Sequence, residues 1–248
     1  MDLSIVIPAL DESQKIGQDI ETAAKFLKSN DLTGEIIVVD DGSRDGTAQI
    51  AKDTKAGIPA EVSLKVLQNE QNRGKGYAVK TGIKETTGKY VMFADCGCCV
   101  PYEYILPGLK ILQNSESNID IAHGSRKLDE SIIIQHQNLY RRICSVLFRW
   151  FMISVIKVPS VLSDTQCGFK IYHGDIARKL YNQCIADGFM FDIEITMRAQ
   201  KEGLRIKEFP VKWTCDRDSR LSPARNLRRI LLELISIKRA LAKEYHNG

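Results

Sequence analysis

Acidic residues occur in three short groups in the first hundred residues of the chain: Asp11 with Glu12, Asp40 with Asp41, and Asp95. Carboxylate oxygens accept hydrogen bonds from hydroxyl and N–H groups, and they are the ligands that Mg²⁺ and Mn²⁺ prefer. Any single group has an ordinary explanation, because turns and helix N-termini favour the same residue types. The three groups together indicate a binding site.

A further polar segment combines cations with glycines in the sequence Asn72-Arg73-Gly74-Lys75-Gly76. The segment opens a predicted helix, so its backbone N–H groups and two cations can face an anion such as a diphosphate. The sequence contains no Gly-x-x-x-x-Gly-Lys-Ser/Thr, and no Gly-x-Gly-x-x-Gly follows the first predicted strand. Both absences argue against a kinase and against a dehydrogenase.

Alternating strands and helices position these polar groups. The apolar runs predict strands at 3–7, 35–39, 62–67 and 89–93, and apolar residues at helical spacing predict helices at 13–27, 45–52 and 75–86. This alternation predicts an α/β fold with an open parallel sheet, in which ligands bind outside the carboxyl ends of the strands. The three acidic groups follow the first, second and fourth strands, so we expect them at one edge of the sheet.

The second half of the chain alternates less regularly. Helices are predicted at 140–157, 189–199 and 224–245, with a strand at 206–213. No internal repeat or long linker interrupts the chain, which predicts one domain over residues 1–248. Within it we expect a ligand-binding half at 1–97, a second half at 98–223 and a basic C-terminal helix at 224–248.

The composition is that of an ordinary globular protein, with 44% hydrophobic and 27% charged residues. A formal net charge of +4 gives no argument for a nucleic-acid partner. The seven cysteines are odd in number and lack the paired spacing of a zinc site, which indicates reduced thiols. With no recognisable secretory signal and no apolar run of the ~20 residues that a spanning helix needs, we expect a cytoplasmic protein.

Several motifs taken in order resemble those of family 2 glycosyltransferases. They are Ile-Pro-Ala-Leu-Asp-Glu at 7–12, Val-Val-Asp-Asp-Gly-Ser at 38–43, Asn-Arg-Gly-Lys-Gly at 72–76 and Phe-Ala-Asp at 93–95. Gly-Ser-Arg at 124–126, Asp-Thr-Gln-Cys-Gly-Phe-Lys at 164–170 and Phe-Asp-Ile-Glu at 191–194 extend the resemblance to the dolichyl- or polyprenyl-phosphate sugar synthases. The resemblance implies a Rossmann-like fold of GT-A type, with a mostly parallel sheet flanked by helices and with C-terminal amphipathic helices.

The resemblance also implies an inverting enzyme that moves a sugar from a UDP- or GDP-sugar to a polyprenyl or dolichyl phosphate. The donor would be held by residues that match the family's nucleoside, ribose and diphosphate positions: Pro8, Asp11, Glu12, Asp40, Asp41, Arg73 and Lys75. These assignments agree with the chemistry, because carboxylates accept hydrogen bonds from ribose hydroxyls, whereas a diphosphate needs cations, N–H donors or a metal.

The implied metal is Mg²⁺ or Mn²⁺, bound by Asp95. Family members show Asp-x-Asp at this position, whereas this chain has Asp95-Cys96-Gly97 and lacks the second carboxylate. Such ions are often held by one or two carboxylates together with substrate phosphates. We therefore expect a weaker metal site that Asp95 shares with the donor diphosphate.

The resemblance places Arg126 and Arg141 at the acceptor phosphate, since a guanidinium suits bidentate phosphate recognition. Asp192, with Glu194 beside it, matches the acidic pair near the reacting centre. A phosphate monoester is largely a dianion at neutral pH, so Asp192 would orient the acceptor or stabilise charge instead of acting as a base. Residues of the 164–170 loop would lie close to the donor sugar and the acceptor, among them Asp164, Gln166 and Lys170.

A membrane surface is the last expected partner, because residues 140–157 combine large apolar side chains with Arg141, Arg142 and Arg149. The basic helix at 224–243 would add attraction to anionic lipid. Two alternatives stay open: a glycosyltransferase that acts on a sugar, protein or small-molecule hydroxyl, and a nucleotide-sugar binding protein without catalytic activity.

Overall fold

A computed structural model describes residues 1–135, 162–214 and 223–246. Its larger sheet has seven strands, and two short strands form a second sheet. The strands of the larger sheet are β1 (Leu3–Ala9), β2 (Gly34–Asp40), β3 (Ser63–Gln68), β4 (Tyr90–Ala94), β5 (Ile121–Ser125), β7 (Phe169–His173) and β8 (Ile206–Pro210). The second sheet pairs β6 (Ile132–Gln135) with β9 (Lys212–Thr214).

The strand order of the larger sheet is β3-β2-β1-β4-β7-β5-β8. Strands β3, β2, β1 and β4 are parallel to their neighbours, as are β5 and β8, whereas β7 is antiparallel to both β4 and β5. This mostly parallel sheet confirms the predicted GT-A-like α/β fold. The strand predicted at 206–213 is in fact two strands in different sheets, separated at Val211.

Seven α-helices occur in the described residues: α1 (Ile16–Ser29), α2 (Thr47–Asp53), α3 (Lys75–Lys84), α4 (Ile105–Gln113), α5 (Gly174–Gln183), α6 (Phe191–Lys201) and α7 (Pro223–His246). Short 3₁₀ turns lie at Thr54–Gly57 and Tyr102–Tyr104. Throughout these residues, no helix has the combination of length and apolarity that crossing a membrane requires. The helix predicted at 140–157 falls outside the described residues.

Alternate residues of the buried strands face two separate cores. In β1, Ile5 and Ile7 contact the core that includes α1 and α4, whereas Val6 faces the core built from α3, α5, α6 and α7. Because both faces are covered, the strands are continuous apolar runs instead of alternating ones. All five cysteines in the described part of the chain are free thiols.

The antiparallel β7 determines which loops meet at the carboxyl end of β4. Phe93 is the register partner of Lys170, and Ala94 is the partner of Phe169. Since β7 runs against β4, its first residues lie beside the last residues of β4. The 162–168 loop that precedes β7 therefore arrives at the same edge of the sheet as Asp95.

Candidate active site

Two lysine–carboxylate pairs lie at this edge of the sheet. Lys75, the first residue of α3, places Nζ 2.5 Å from Oδ1 of Asp95, which follows β4 directly. Lys170 of β7 hydrogen-bonds through Nζ to Oδ1 of Asp192, and also donates to the Thr165 carbonyl at 2.9 Å. Lys170 and Asp192 have only 1% and 4% of their side chains exposed, so their charges must be balanced within the protein.

The two pairs interact across the ring of Phe93. The Nζ atoms of Lys75 and Lys170 lie 5.9 Å and 5.3 Å from its centroid. Burial opposes the charge on Lys75, but the carboxylates of Asp95 and then Asp192 raise its pKa. Burial raises the pKa of Asp192, against the opposing charges of Lys170 and Lys75. Asp192 is thus influenced by the lysines of both pairs.

Gly168 leaves room for the Asp95 carboxylate. A Cβ atom at position 168 would lie 2.2 Å from that carboxylate, a distance that no side chain can occupy. The Gly168 carbonyl also accepts a hydrogen bond of 3.0 Å from the Asp95 amide. Sequence reasoning gave Gly168 no role, although a glycine next to a strand is the usual sign of close backbone approach.

Asp40 has the arrangement expected of a ligand-binding carboxylate. It is fully buried, and its Oδ1 accepts hydrogen bonds from the amide and the hydroxyl of Ser43. Its Oδ2 is buried without a hydrogen-bond partner. A buried acceptor of this kind costs about 1–3 kcal/mol unless another molecule satisfies it.

The Asp41 carboxylate, in contrast, accepts hydrogen bonds from groups of the protein and holds a loop in place. Its carboxylate accepts hydrogen bonds from the amides of Arg73 and Gly74 at 3.1 and 2.7 Å, and from Asn69 Nδ2 at 2.8 Å. The amides of Gly76 and Tyr77 donate to carbonyls of the protein. The expectation that the amides of the 72–76 segment face a diphosphate is therefore wrong for Arg73, Gly74 and Gly76, because Asp41 and a carbonyl of the protein already accept their hydrogen bonds.

The remaining predicted donor residues lie around the ends of β1 and β2. Pro8 is buried in β1 opposite Val39. Asp11 accepts from the Arg44 amide at 2.7 Å, and the Glu12 amide donates to Thr47 Oγ1 at 2.8 Å. Arg73 stacks its guanidinium 3.6 Å from the centroid of the Tyr77 ring and lies 3.7 Å from Asp187.

Arg126 forms a bidentate pair with Asp164, through Nε at 2.6 Å and Nη2 at 2.8 Å. Although burial opposes the effect, the Arg126 guanidinium lowers the pKa of Asp164 to about 2. Glu208 of β8 accepts the amide of Asp164 at 2.8 Å, and Trp213 lies beneath the guanidinium at 5.1 Å. Asp164 therefore orients Arg126, and its acceptor atoms are largely occupied.

Gln166 follows in the same loop, and its Nε2 is buried without a hydrogen-bond partner. This donor could serve an acceptor atom of a ligand beside Asp95. Arg141 and Arg142, the other predicted acceptor cations, lie outside the described residues. In the described part of the chain, no group of three or more His, Cys, Asp or Glu side chains is arranged to hold a metal ion.

Glu194 does not face the same side as Asp192. Its carboxylate accepts hydrogen bonds from the amides of Ile185 and Ala186 at 3.0 and 2.8 Å, and pairs with Arg198 at 2.7 Å. All of these groups are inside the protein. Glu194 thus holds the segment before α6 in place. The two acidic residues suggested by the sequence therefore differ: Asp192 pairs with Lys170 at the candidate site, whereas Glu194 stabilises the fold.

Comparisons with known proteins agree with this architecture. Residues 4–181 match the sequence profile of glycosyl transferase family 2. The chain is 31% identical over 243 residues to a dolichyl-phosphate β-glucosyltransferase of Dictyostelium discoideum, covering 95% of this chain and 73% of that protein. It is 32% identical over 231 residues to the enzyme of the same name from Drosophila melanogaster, covering 90% and 70%.

Solved structures show the same fold. Glucosyl-3-phosphoglycerate synthase from Mycobacterium tuberculosis, in complex with Mn²⁺, UDP and glucosyl-3-phosphoglycerate, superposes with a TM-score of 0.67. The match covers 95% of this chain and 79% of that one at 20% sequence identity. At this identity the likeness concerns the fold.

His123 lies behind the two lysine–carboxylate pairs and was not recognised from the sequence. It is the register partner of Lys170, is 1% exposed, and has no hydrogen-bond partner at either ring nitrogen. Burial, and then the Lys170 ammonium, lower its pKa well below the ordinary value, while Asp164 opposes the shift. The imidazole is therefore neutral in the folded protein.

We predict that this neutral imidazole makes the folded state less stable in acid. The unfolded chain takes up a proton on His123 near its ordinary pKa of about 6.5, and the folded chain does not. Stability is thus lost as the pH falls below that value, by up to about 1.4 kcal/mol per pH unit. Urea unfolding of wild type and His123→Leu at pH 7.5, 6.5 and 5.5 measures the effect, and a constant difference between the two proteins would contradict it.

Proposed function

The chain belongs to glycosyl transferase family 2, and on this premise we propose that it transfers glucose from UDP-glucose to a dolichyl or polyprenyl phosphate with inversion. The sequence relatives support this donor and acceptor, since proteins named dolichyl-phosphate β-glucosyltransferase align with most of the chain. The structural neighbour was solved in complex with UDP, which supports uracil as the base of the donor. Residues 1–97 would bind mainly the donor and residues 98–223 the acceptor.

In this reaction a phosphate oxygen of the acceptor forms a bond to the anomeric carbon, and the bond from that carbon to UDP breaks. The observation that carries the proposal is the pairing of Asp192 with the buried Lys170. The Lys170 ammonium occupies Oδ1 of Asp192, and a phosphate monoester with a second pKa of about 6 does not need a general base. The site thus suits an acceptor that arrives already ionised.

Specific roles follow for the other residues. Asp40, with its unpartnered oxygen, would accept a hydrogen bond from the nucleoside, while Asp11 and Glu12 would line the same pocket. Lys75 and Arg73 would bind the diphosphate. Arg126, oriented by Asp164, would receive the acceptor phosphate together with Arg141, and Gln166 would donate to the sugar or the phosphate.

We predict that Lys75→Met lowers glucose transfer on the order of 100-fold, because a cation no longer stabilises the charge that develops on the leaving UDP. Organic-phase extraction of labelled glucose after incubation with UDP-glucose and polyprenyl phosphate measures the transfer. Lys65→Met is the matched control, since Lys65 pairs with Glu85 far from the predicted site and should lose little.

The choice of acceptor separates the alternatives in the same assay. Transfer to a small-molecule hydroxyl, such as that of 3-phosphoglycerate, without transfer to polyprenyl phosphate would favour a hydroxyl acceptor. Binding of UDP-glucose with no transfer to any acceptor would favour a binding protein. GDP-mannose in place of UDP-glucose tests the donor.

We propose that a divalent cation binds at Asp95 together with the donor diphosphate. The residues fit this role, because Asp95 supplies a hard oxygen and its Oδ1 is buried without a hydrogen bond, although Lys75 lies within ion-pair distance. Asp19 cannot contribute, since its carboxylate accepts from Gly97, Cys98 and Tyr102. When bound, the cation would stabilise negative charge on the leaving diphosphate.

We predict that Mn²⁺ strengthens UDP binding about tenfold in the wild type and has little effect in Asp95→Asn, because the amide is a weaker ligand. Isothermal titration with and without EDTA measures this. Equal UDP affinity in both conditions would assign charge neutralisation to Lys75 and Arg73. Gly97→Asp is a poor test, since Gly97 has φ +96° and any side chain there is strained.

We propose that α7 contributes to attachment at a membrane surface. Its buried face includes Ile230, Leu234 and Ile237, whereas Leu232 and Ile235 are 55% and 44% exposed. Arg229, Arg239 and Lys243 are exposed on the same helix. Apolar bulk beside cations is the composition of an interfacial helix, and each well-placed cation adds about 1 kcal/mol on anionic lipid.

We predict that the protein co-sediments with anionic liposomes, that salt weakens the binding, and that Leu232→Ser with Ile235→Ser reduces it severalfold by removing buried apolar area. Leu106→Ser is the control, because this exposed leucine lies on α4. The 140–157 segment is tested by changing Trp150 and Phe151 to Ser. Recovery of the wild type in the supernatant at low salt would refute attachment and favour the hydroxyl-acceptor alternative.

A further inference from the structure

The Ile185–Met190 turn lies between the start of α3 and helix α7. The Gly76 amide donates to the Gly188 carbonyl at 3.2 Å, and the Tyr77 amide donates to the Asp187 carbonyl at 3.0 Å. The first amides of a helix have no partner within the helix itself. The turn satisfies two of them at the N-terminus of α3.

The contact is close enough to position Lys75. A Cβ atom at Gly74 would lie 2.4 Å from the Asp187 carbonyl oxygen, and one at Gly76 would lie 2.5 Å from that of Ala186. Glycines on both sides of Lys75 therefore allow the turn to pack directly against this backbone. Any displacement of the turn moves the backbone from which Lys75 reaches Asp95.

Two carboxylates hold the turn at its opposite ends. Glu194 accepts the amides of Ile185 and Ala186 in the protein interior. At the other end, Glu233 of α7 accepts the Met190 amide at 3.4 Å and pairs with Arg229 at 3.2 Å. Glu233 also lies against Gly188, where an added Cβ would be 2.0 Å from its Oε1.

The α7 side of the turn combines apolar packing with an open groove. Met190 and Ala186 belong to the same core as Ile230 and Leu234 of α7, and a groove of about 640 Å³ runs beside this contact. Its walls include Ile185, Asp187, Leu232 and Ser236, and Ile185 is 47% exposed. Beside this apolar packing, the hydrogen bond from the Met190 amide to Glu233 gives α7 a polar contact with the turn.

We propose that Glu233 is a positioning residue for the nucleotide-sugar donor. It seats the Ile185–Met190 turn against α3 and thereby fixes Lys75 beside Asp95. The inference rests on the proposed function, in which Lys75 binds the donor diphosphate. Helix α7 thus contributes to donor affinity through this turn.

Hydrogen exchange tests the structural part of the proposal without any ligand. In Glu233→Ala, the Gly76 and Tyr77 amides should exchange about fivefold faster, because one of the contacts that hold the turn with their acceptor carbonyls is lost. Amides of β1 should be unchanged. In Glu233→Gln the side-chain oxygen can still accept the Met190 amide, so the change should be smaller.

Calorimetry and kinetics test the functional part. Glu233→Ala should weaken UDP binding about fivefold and raise the donor KM similarly, and kcat should also fall because Lys75 stabilises the leaving UDP, while the acceptor KM changes little. Glu202→Ala is the matched control, since Glu202 is 22% exposed and pairs with Lys179, much as the 18% exposed Glu233 pairs with Arg229. A merely structural loss would lower the folded fraction and impair donor and acceptor KM alike.

The outcomes separate this inference from the function on which it rests. A wild type that binds no UDP would refute the proposed function, while the exchange of Gly76 and Tyr77 would still report on Glu233. A wild type that binds UDP, with Glu233→Ala unchanged in both exchange and affinity, would overturn the positioning role.

Discussion

The pairing of buried charge at the carboxyl end of β4 is the constraint on which the surrounding structure depends. Lys170 and Asp192 are almost fully buried, and Lys75 with Asp95 lies near the same Phe93 ring. Removing one member of such a pair leaves an uncompensated charge, at a cost of about 3–5 kcal/mol. The four side chains come from α3, the end of β4, β7 and α6, so this charge balance connects segments distant in the sequence.

Carboxylates around this centre divide into those that hold loops and those that retain capacity for a ligand. Asp41, Asp164 and Glu194 accept amides or guanidinium groups of the protein, and they fix the 73–74 segment, Arg126 and the Ile185–Met190 turn. Asp40 keeps a buried oxygen without a hydrogen bond, and Asp95, whose Oδ1 pairs with Lys75, keeps a side chain that is 36% exposed. An acidic residue after a strand has the same sequence signature in both cases, because a loop amide and a ligand hydroxyl are alike as donors.

The first four strands could be predicted because parallel strands covered on both faces are continuous apolar runs, and the helices between them have clear periodicity. Strands β5 and β7 were missed for a physical reason. His123 and Lys170 interrupt their apolar pattern, yet both are buried, because neighbouring strands and Asp192 provide their environment. The antiparallel placement of β7 depends on long-range pairing that no local pattern encodes. The roles of Gly168 and Glu233 likewise arise from contacts between distant segments.

The charge balance of the site also affects how the chain can function without the second carboxylate of the metal motif, which Gly97 replaces. Lys75 and Lys170 carry two positive charges, which Asp95 and Asp192 neutralise, and Asp164 neutralises Arg126 in the same way. These three ion pairs thus add no net charge to the site, whereas a diphosphate brings at least two negative charges into partly desolvated surroundings. Arg73, stacked on Tyr77 at the rim, can offset part of this charge. Because Asp95 already balances the charge of Lys75, the proposed cation that enters with the donor would supply further positive charge, although Gly97 provides no ligand for it.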